Sequence, residues 1–561
     1  MEQQRLILFI ALSLVLFLIW DAWQREFTPQ PVTPTTDIRS EAAATGSTAD
    51  VPVAEAQTRQ PETSSTPSFM PVTEMKLVKK GQRIHVETDV FRIEIDTVGG
   101  DLRIVDLKKY PVSVDKPDQP FRLMKDGPES LFIAQSGFTL RKSDGAVLSA
   151  APNHTTAYQA VQSKYQLDQD ENKLTATVTW TSPEGVVFIK SYIFTRGSYL
   201  IEIAHTIKNP TAKDWVGNLY QQLQRTPIPE AEKPRFIYTY TGGVVYSPEE
   251  KYHKISFSDM EEGKLSKQVT GGWTAMIQHY FLAAWVPPTD APETFYTSYR
   301  PSPDRYTIGM KSDSAYRVVA GGEQRFSNKL FVGPKLQDTL EKIAPGLELT
   351  VDYGILTILS KPIYFVLKFI HNNIVSNWGW AIIILTLIIK LAFYKLSEKS
   401  YRSMAQMRKL TPRIQQLKER YGDDRQKMGQ AQMDLFRKEK INPLGGCLPI
   451  LVQMPVFIAL YWVLLESVEL RQAPWILWIQ DMSTADPYFV LPLLMGISMF
   501  IQQKLNPAPV DPIQAKVMMM LPFVFTIFFA FFPAGLVIYW VVNNTLSIIQ
   551  QWYITRIVIK S

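Results

Sequence analysis

The sequence predicts an α+β membrane protein: six transmembrane helices and one large antiparallel β-sandwich outside the membrane. Three observations carry that expectation. The 561-residue chain has a mean hydropathy near zero, yet it is polar up to about Asp352 and, from Ile355 onward, holds apolar runs too long for a water-soluble domain. From Met75 to about Val351 apolar and polar side chains alternate with period two between turn signals. The loops between the apolar segments differ in charge, the pattern that orients a chain across a membrane. The single cysteine, Cys447, excludes a disulfide framework and a redox pair. The six histidines lie more than four residues apart, so no helical metal pair exists and no cofactor is expected.

Residues 1–24 come first. Leu6 to Trp20 is almost continuously apolar, between Arg5 and Asp21. A stretch this short also suits a signal peptide, but Asp21-Ala22-Trp23-Gln24 offers no small-x-small cleavage site. Trp20 and Trp23 suit interfacial anchoring, so an uncleaved N-terminal anchor is expected. Residues 25–75 are rich in Pro, Thr and Ser with few large apolar groups, too few to offset the entropy of ordering, and read as a flexible tether.

Residues 76–351 form the expected β-domain. Val90 to Asp96, Lys173 to Thr181, Val186 to Thr195 and Tyr199 to Ile207 each alternate, separated by Pro183-Glu184-Gly185 and Arg196-Gly197. Pro334 is placed to open a short helix through Ile343. Trp215, Tyr238, Tyr240, Trp273 and Trp285 suit either the core of a sandwich or the lining of a sugar-binding cleft. No nucleophile elbow, phosphate loop or carboxylate pair stands out, and the chain is not expected to be an enzyme.

Residues 352–561 are expected to form a five-helix membrane core. Its spans are roughly Trp378–Tyr394, Cys447–Leu465, Tyr488–Ile501, Val517–Phe532 and Ala534–Ile549. Several fall short of the ~20 residues that cross a hydrocarbon core, which points to a locally thinned bilayer. Ile355 to Phe369 carries Lys361 and Lys368 on one helical face and reads as an interfacial amphipathic helix or as the entry to the first of these spans. The loop 395–440 holds 13 Lys/Arg against 6 Asp/Glu, whereas Glu466 to Asp486 holds one Arg against four acids. Basic loops stay in the cytoplasm, so this loop and both termini are expected there and the β-domain outside.

That loop reads as a helical hairpin. Met404, Met407, Leu410, Ile414, Leu417 and Tyr421 make one apolar stripe, with a kink expected at Pro412. Gly422 is placed to stop the helix, Asp423 or Asp424 to cap the next, and Met428, Ala431 and Leu435 to continue the stripe. Arg408 and Lys409 belong to a basic surface that suits lipid headgroups, ribosomal RNA or an acidic protein, or is plain positive-inside charge.

Polar residues recur at one depth in the spans. Lys390, Gln453, Asn543 and Asn544 all fall in the middle or inner half of the bilayer, while the outer half is built of Phe, Leu, Ile and Val. A lysine there costs about 2.5–3.5 kcal/mol on insertion scales, so it either snorkels to the headgroups or faces a wet groove open to the cytoplasm. Such a groove would accept the polar part of a client chain while its apolar part meets lipid.

Asn442-Pro443-Leu444-Gly445-Gly446-Cys447-Leu448-Pro449 with Gln453-Met454-Pro455-Val456-Phe457 resembles the third-span signature of the YidC membrane protein insertases. Ser467 to Pro474, Asp486-Pro487-Tyr488, Phe532 to Leu536 and Gly271 to Phe281 are similar too. The resemblance implies an inner-membrane insertase and folding chaperone of Gram-negative type, acting alone or with the Sec translocon, with a periplasmic super-sandwich. It implies that Lys390 is the groove charge, where the family usually has Arg, and that Thr386, Met454, Phe457 and Trp540 contact clients. Lysine lacks the bidentate fork of arginine. For the hairpin, the sequence leaves a ribosome, a targeting receptor and lipid open as partners. Arg556 and Lys560 are the basic residues after the last span, so ribosome docking through a long basic tail is not expected. Two other readings compete: a lipid transporter or scramblase, whose headgroup would use the same groove, and a membrane-anchored carbohydrate sensor.

Overall fold

The computed structural model describes residues 81–140, 150–229, 239–422, 424–439, 448–506 and 512–558. The expected N-terminal anchor, the tether, Tyr238, Asp423 and Cys447 lie outside them. The described residues divide into two units, one ending at Val351 and the other beginning at Asp352.

The first unit is built from two sheets. One has eleven strands, in the order Ser266–Thr270, Pro292–Pro301, Asp304–Ser312, Trp215–Arg225, Leu131–Leu140, Pro120–Asp126, Asp101–Pro111, Phe91–Asp96, Arg83–Glu87 and Lys164–Gln166, with Tyr316–Val318 paired to Trp215–Arg225. The other has nine: Lys251–Ile255, Gly242–Ser247, Trp273–Gln278, Phe281–Val286, Glu323–Pro334, Leu200–Lys208, Val187–Thr195, Lys173–Thr181 and Gln159–Ala160. The pairings are antiparallel except for Arg83–Glu87 with Lys164–Gln166.

Period two does the positioning. In Val187–Thr195 the residues Phe188, Lys190, Tyr192 and Phe194 are buried and their neighbours are not. The two sheets share one core: Phe138, Trp215 and Leu219 of the larger sheet meet Phe188, Ile207 and Phe326 of the smaller. The sugar-cleft reading of the aromatics does not hold, because Trp215, Trp273 and Trp285 are fully buried. Each spends its indole N–H on a backbone carbonyl, of Ala150, Pro345 and Gln222 respectively. Tyr240 bonds the Gly243 carbonyl beside them.

Helix α1, Phe257–Glu262, is closed by a capping box of Ser256 and Asp259. Helix α2, Gln337–Ile343, corrects the expected boundary. Pro334 ends the strand Glu323–Pro334, where no further ladder N–H is required of it, and the helix starts three residues later, at Gln337, with Leu336 as N-cap.

Glu293 of the larger sheet is 4% exposed, and burial, reinforced by nearby Asp313, pushes its carboxyl up to about 8. The folded value lies above the ordinary one, so folding takes up a proton in this range. The contribution is fully present below pH 4.5 and is lost as pH rises through about 8. Thermal melts of the detergent-solubilised chain should show the β-unit losing stability from pH 5 to pH 8. Glu293→Gln should flatten most of that slope; an unchanged slope would place its origin elsewhere.

The second unit is helical. After α3, Thr357–Asn373, come α4, Trp378–Ala392, and α5, Tyr394–Tyr421. Then follow α6, Arg425–Lys438, α7, Leu448–Glu466, α8, Val490–Leu505, α9, Pro512–Phe529, and α10, Ala534–Tyr553. Among the described residues, Gly354–Asn373 is long and apolar enough to cross a membrane, and α4 with α5 passes as a pair bent by 66°. Val452–Glu466, Val490–Leu505 and Ala515–Phe529 are shorter apolar helices.

Helix α3 buries Ser360, Tyr364, Leu367 and Ile370, spaced three or four apart, and exposes Ile358, Phe365 and Phe369. Helix α5 runs on through Pro412. It ends at Gly422, which is right-handed (φ −53°), so no left-handed cap forms. Asp424 caps α6 by accepting from the Lys427 N–H. Leu410 and Ile414 meet Phe436 across the hairpin, flanked by Met433 and Leu435.

Candidate functional site

Helix α4 is fixed at its start by Asn377, whose side chain accepts from the N–H groups of Gly379 and Trp380. Thr386 and Lys390 are one helical turn apart, so they share a face. Both are buried, and Thr386 bonds the Ile382 carbonyl of its own helix. Lys390 lies 12 residues beyond Trp378, and Ser547 lies 13 beyond Ala534 of α10. At 1.5 Å per residue the two sit about 18 and 20 Å along their helices. Equal depth lets them meet: Lys390 Nζ donates to Ser547 Oγ at 2.7 Å, and that hydroxyl donates to the Asn543 carbonyl at 2.7 Å. Tyr401 of α5 bonds the same Ser547 side chain. Lys390 is 9% exposed, its ammonium directed across to α10.

Asn544 is also buried, and its Nδ2 donates to Ser498 Oγ of α8 at 3.1 Å. One turn further along α8 and two along α10, Gln502 Nε2 donates to Gln551 Oε1 at 2.6 Å, and Gln551 Nε2 reaches the Leu505 carbonyl. A polar ladder therefore joins α8 and α10 where an apolar contact would serve in most helix pairs. Sequence reading had singled out neither Ser498, Gln502 nor Gln551. Their one signal is the i, i+4 spacing of Ser498 and Gln502 inside an apolar helix.

The other predicted residues stand differently. Phe457 of α7 stacks on Tyr539 and meets Trp540 edge-on, with ring centroids 5.8 and 4.8 Å apart. Trp540 also meets Phe529 of α9 at 5.5 Å. Gln453 and Asn543 are half-buried, and Met454 is 44% exposed. Lys390 and Thr386 are thus gathered with Asn543 and Asn544 around α10, while Phe457 and Trp540 form an aromatic contact nearer its start. The predicted hairpin residues are a separate group: Leu410 is buried in the hairpin core, Met404, Met407 and Met428 are half-buried, and Arg408 and Lys409 face outward.

Several polar atoms here are spare. Trp540 Nε1, Gln502 Oε1 and Gln550 Nε2 are buried with no hydrogen-bond partner among the described residues. Among those residues no group of three or more His, Cys, Asp or Glu can hold a metal ion.

A β-rich domain followed by apolar helices with a lysine and amides buried between them defines an integral membrane protein with a large extramembrane part. Residues 83–366 match the family description YidC periplasmic domain, and residues 369–561 match 60Kd inner membrane protein. A membrane protein insertase YidC from Methylococcus capsulatus is 52% identical over 100% of this chain and 99% of its own. One from Thioalkalivibrio sulfidiphilus is 52% identical over the same shares. Among solved structures, an active YidC insertase crystal structure aligns with 85% of this chain and 94% of its own, at 17% identity and a TM-score of 0.38. The chain belongs to the YidC family of membrane protein insertases. It is an inner membrane protein with a periplasmic domain.

Proposed function

We propose that this chain passes client segments into the inner membrane along the polar inner end of the bundle, where Lys390, Ser547, Asn543 and Asn544 come together. It is a membrane protein insertase, not an enzyme, and its partners are client membrane proteins. Neither the scramblase nor the carbohydrate-sensor reading is favoured by relatives of this identity. The observation that carries the route is the placement of a buried lysine and amides toward one end of α10, with spare hydrogen-bonding atoms along the same helix, beside helices that are otherwise apolar. A buried polar site lowers the cost of bringing a short hydrophilic stretch into the bilayer. Met454 and the half-buried Phe457 and Trp540 offer adaptable apolar surface to the rest of the client.

The finer topology follows the charge pattern. Six spans including residues 1–24, a tether over 25–75, a periplasmic super-sandwich over 76–351 and a membrane core over 352–561 place both termini and the hairpin 395–440 in the cytoplasm. Helix α3 then lies along the outer leaflet, and the basic hairpin meets lipid, a ribosome or a targeting receptor. The chain acts alone or beside the Sec translocon. Client hydrophobicity and the membrane potential supply the driving force, about 2.3 kcal/mol per charge per 100 mV.

The test uses the purified chain in liposomes and a short single-span client with an acidic outer tail. Asn543→Leu/Asn544→Leu should lower insertion about fivefold, roughly 1 kcal/mol of barrier. Insertion equal to wild type would sink the polar route.

A further inference from the structure

The segment between α7 and α8 makes more connections than a linker needs. Asp486, 1% exposed, accepts from Trp478 Nε1 at 2.9 Å and from the Tyr488 and Leu491 backbone N–H groups at 3.0 and 2.7 Å. It thereby fixes the start of α8. Asp481 accepts from the Gln472 and Ser483 N–H groups at 2.9 and 2.8 Å, closing the segment on itself. The start of α10 is held through backbone alone: the Ala534 N–H donates to Thr484 and the Gly535 N–H to Met482, at 2.7 and 3.0 Å. The start of α4 is held by Asn377 Nδ2, which donates to the Pro474 carbonyl at 3.0 Å, and by Trp475, which packs on Gly379 so closely that a Cβ there would lie 2.1 Å from its ring. Tyr364 of α3 adds a bond to Glu469 at 2.6 Å.

The backbone carries strain to reach these points. Gln472, Leu477 and Phe489 adopt left-handed φ values of 58°, 53° and 56°, which residues with a Cβ rarely take and which persist where the surroundings over-determine them. Inward, Val468, Leu470, Ile479 and Met482 are buried, so the segment is packed as a core and not draped as a loop.

We propose that Arg471–Phe489 is a fixed latch that locks the outer ends of α4, α8 and α10 together throughout insertion, so that the bundle yields only at its other end, with Asp486 as its positioning residue. The orientation rests on the function proposed above. In structural terms, the three helices are tied at one end by eight hydrogen bonds to or within a single segment, namely those given above for Asp486, Asp481, Thr484, Met482 and Pro474. At the other end each tie of the same helices is made by a side chain, with one backbone carbonyl, that of Leu505, among the acceptors.

Two measurements on the full chain in liposomes test the latch. Ala485 and Pro533 form an isolated antiparallel bridge, which brings their Cα atoms within disulfide range. Ala485→Cys/Pro533→Cys in a Cys447→Ser background is compared oxidised and reduced within one folded sample. Insertion should agree within twofold. Loss of insertion on oxidation, restored by reductant, would show that the segment must open and would overturn the latch. Asp486→Ala should raise proton leak from dye-loaded vesicles at least tenfold over wild type, with Asp486→Asn in between; vesicles as tight as wild type would also overturn it. Loss of the polar route would instead appear as normal insertion by the Asn543/Asn544 variant, which leaves both latch readouts unmoved.

Discussion

Replacing Lys390 by alanine should lower client insertion in liposomes about tenfold or more, while Lys390→Arg should stay within about threefold of wild type; tenfold is about 1.4 kcal/mol of barrier. The physical reason is the shared hydroxyl. Lys390 Nζ, the Tyr401 side chain and the Asn543 carbonyl all converge on Ser547, so loss of the ammonium removes both a positive charge and the tie between α4 and α10. Arginine keeps the charge and a donor long enough to reach the same oxygen. Ser547→Ala separates the two contributions. If charge is what the client senses, Ser547→Ala inserts nearly as well as wild type; if the tie matters, it falls with Lys390→Ala. Insertion by Lys390→Ala at the wild-type rate would remove Lys390 from the mechanism.

The largest stability effect is expected within the β-unit. Lys190, 1% exposed, projects from the smaller sheet into the sandwich core and donates to the carbonyls of Gly99 and Ser136, at 3.1 and 3.2 Å, both in or beside the larger sheet. The fully buried Asp101 lies 4.0 Å from its ammonium, and Asp101 also accepts from Arg103 and Gln135. Tyr192, two residues on, bonds the Gly100 carbonyl. Burial pulls the Lys190 ammonium down to about 8 against the opposing attraction of Asp101, so the group is still charged at neutral pH. Lys190→Met keeps the volume but strands two carbonyls and leaves the Asp101 carboxylate with Arg103 as its remaining cation, and weakening such a buried cluster costs about 3 kcal/mol. The β-unit of the detergent-solubilised chain should melt roughly 10 °C lower, followed by tryptophan fluorescence. Lys190→Met/Asp101→Asn should recover part of the loss, because the buried carboxylate that lost one of its two cations is neutralised as well. A melting point within 2–3 °C of wild type for the single variant would show that the pair is not a support.

Lys190 also shows what was legible and what was not. Alternation alone places residue 190 inward, on the face of Phe188 and Tyr192, and the strand Lys173–Thr181 was readable to the residue for the same reason. What alternation does not supply is the partner, because Asp101 and Ser136 stand 89 and 54 positions away and meet Lys190 only when two sheets close. The membrane half follows the same rule. Lys390 and the Asn543-Asn544 pair are visible because charge and amide are costly in an apolar run. Ser498 is not, since a helical serine can satisfy itself on its own backbone, as it does with the Met495 carbonyl at 2.6 Å. Phe436 of the hairpin core is not legible in the sequence, because it falls beside the stripe of Met428, Ala431 and Leu435. Pro334 misled because proline suits a strand end as well as a helix start.

The bend of 66° between α4 and α5 has a mechanical meaning. Phe393 alone separates the two helices, and Lys390 stands three residues before it. Helix α5 has 28 residues and is therefore about 42 Å long, an arm whose fulcrum lies beside the Lys390–Ser547 bond. A push of a few ångströms at the far tip, where Tyr421 turns into α6, reaches the fulcrum as torque with little displacement. A force applied at the hairpin would load that bond without touching it.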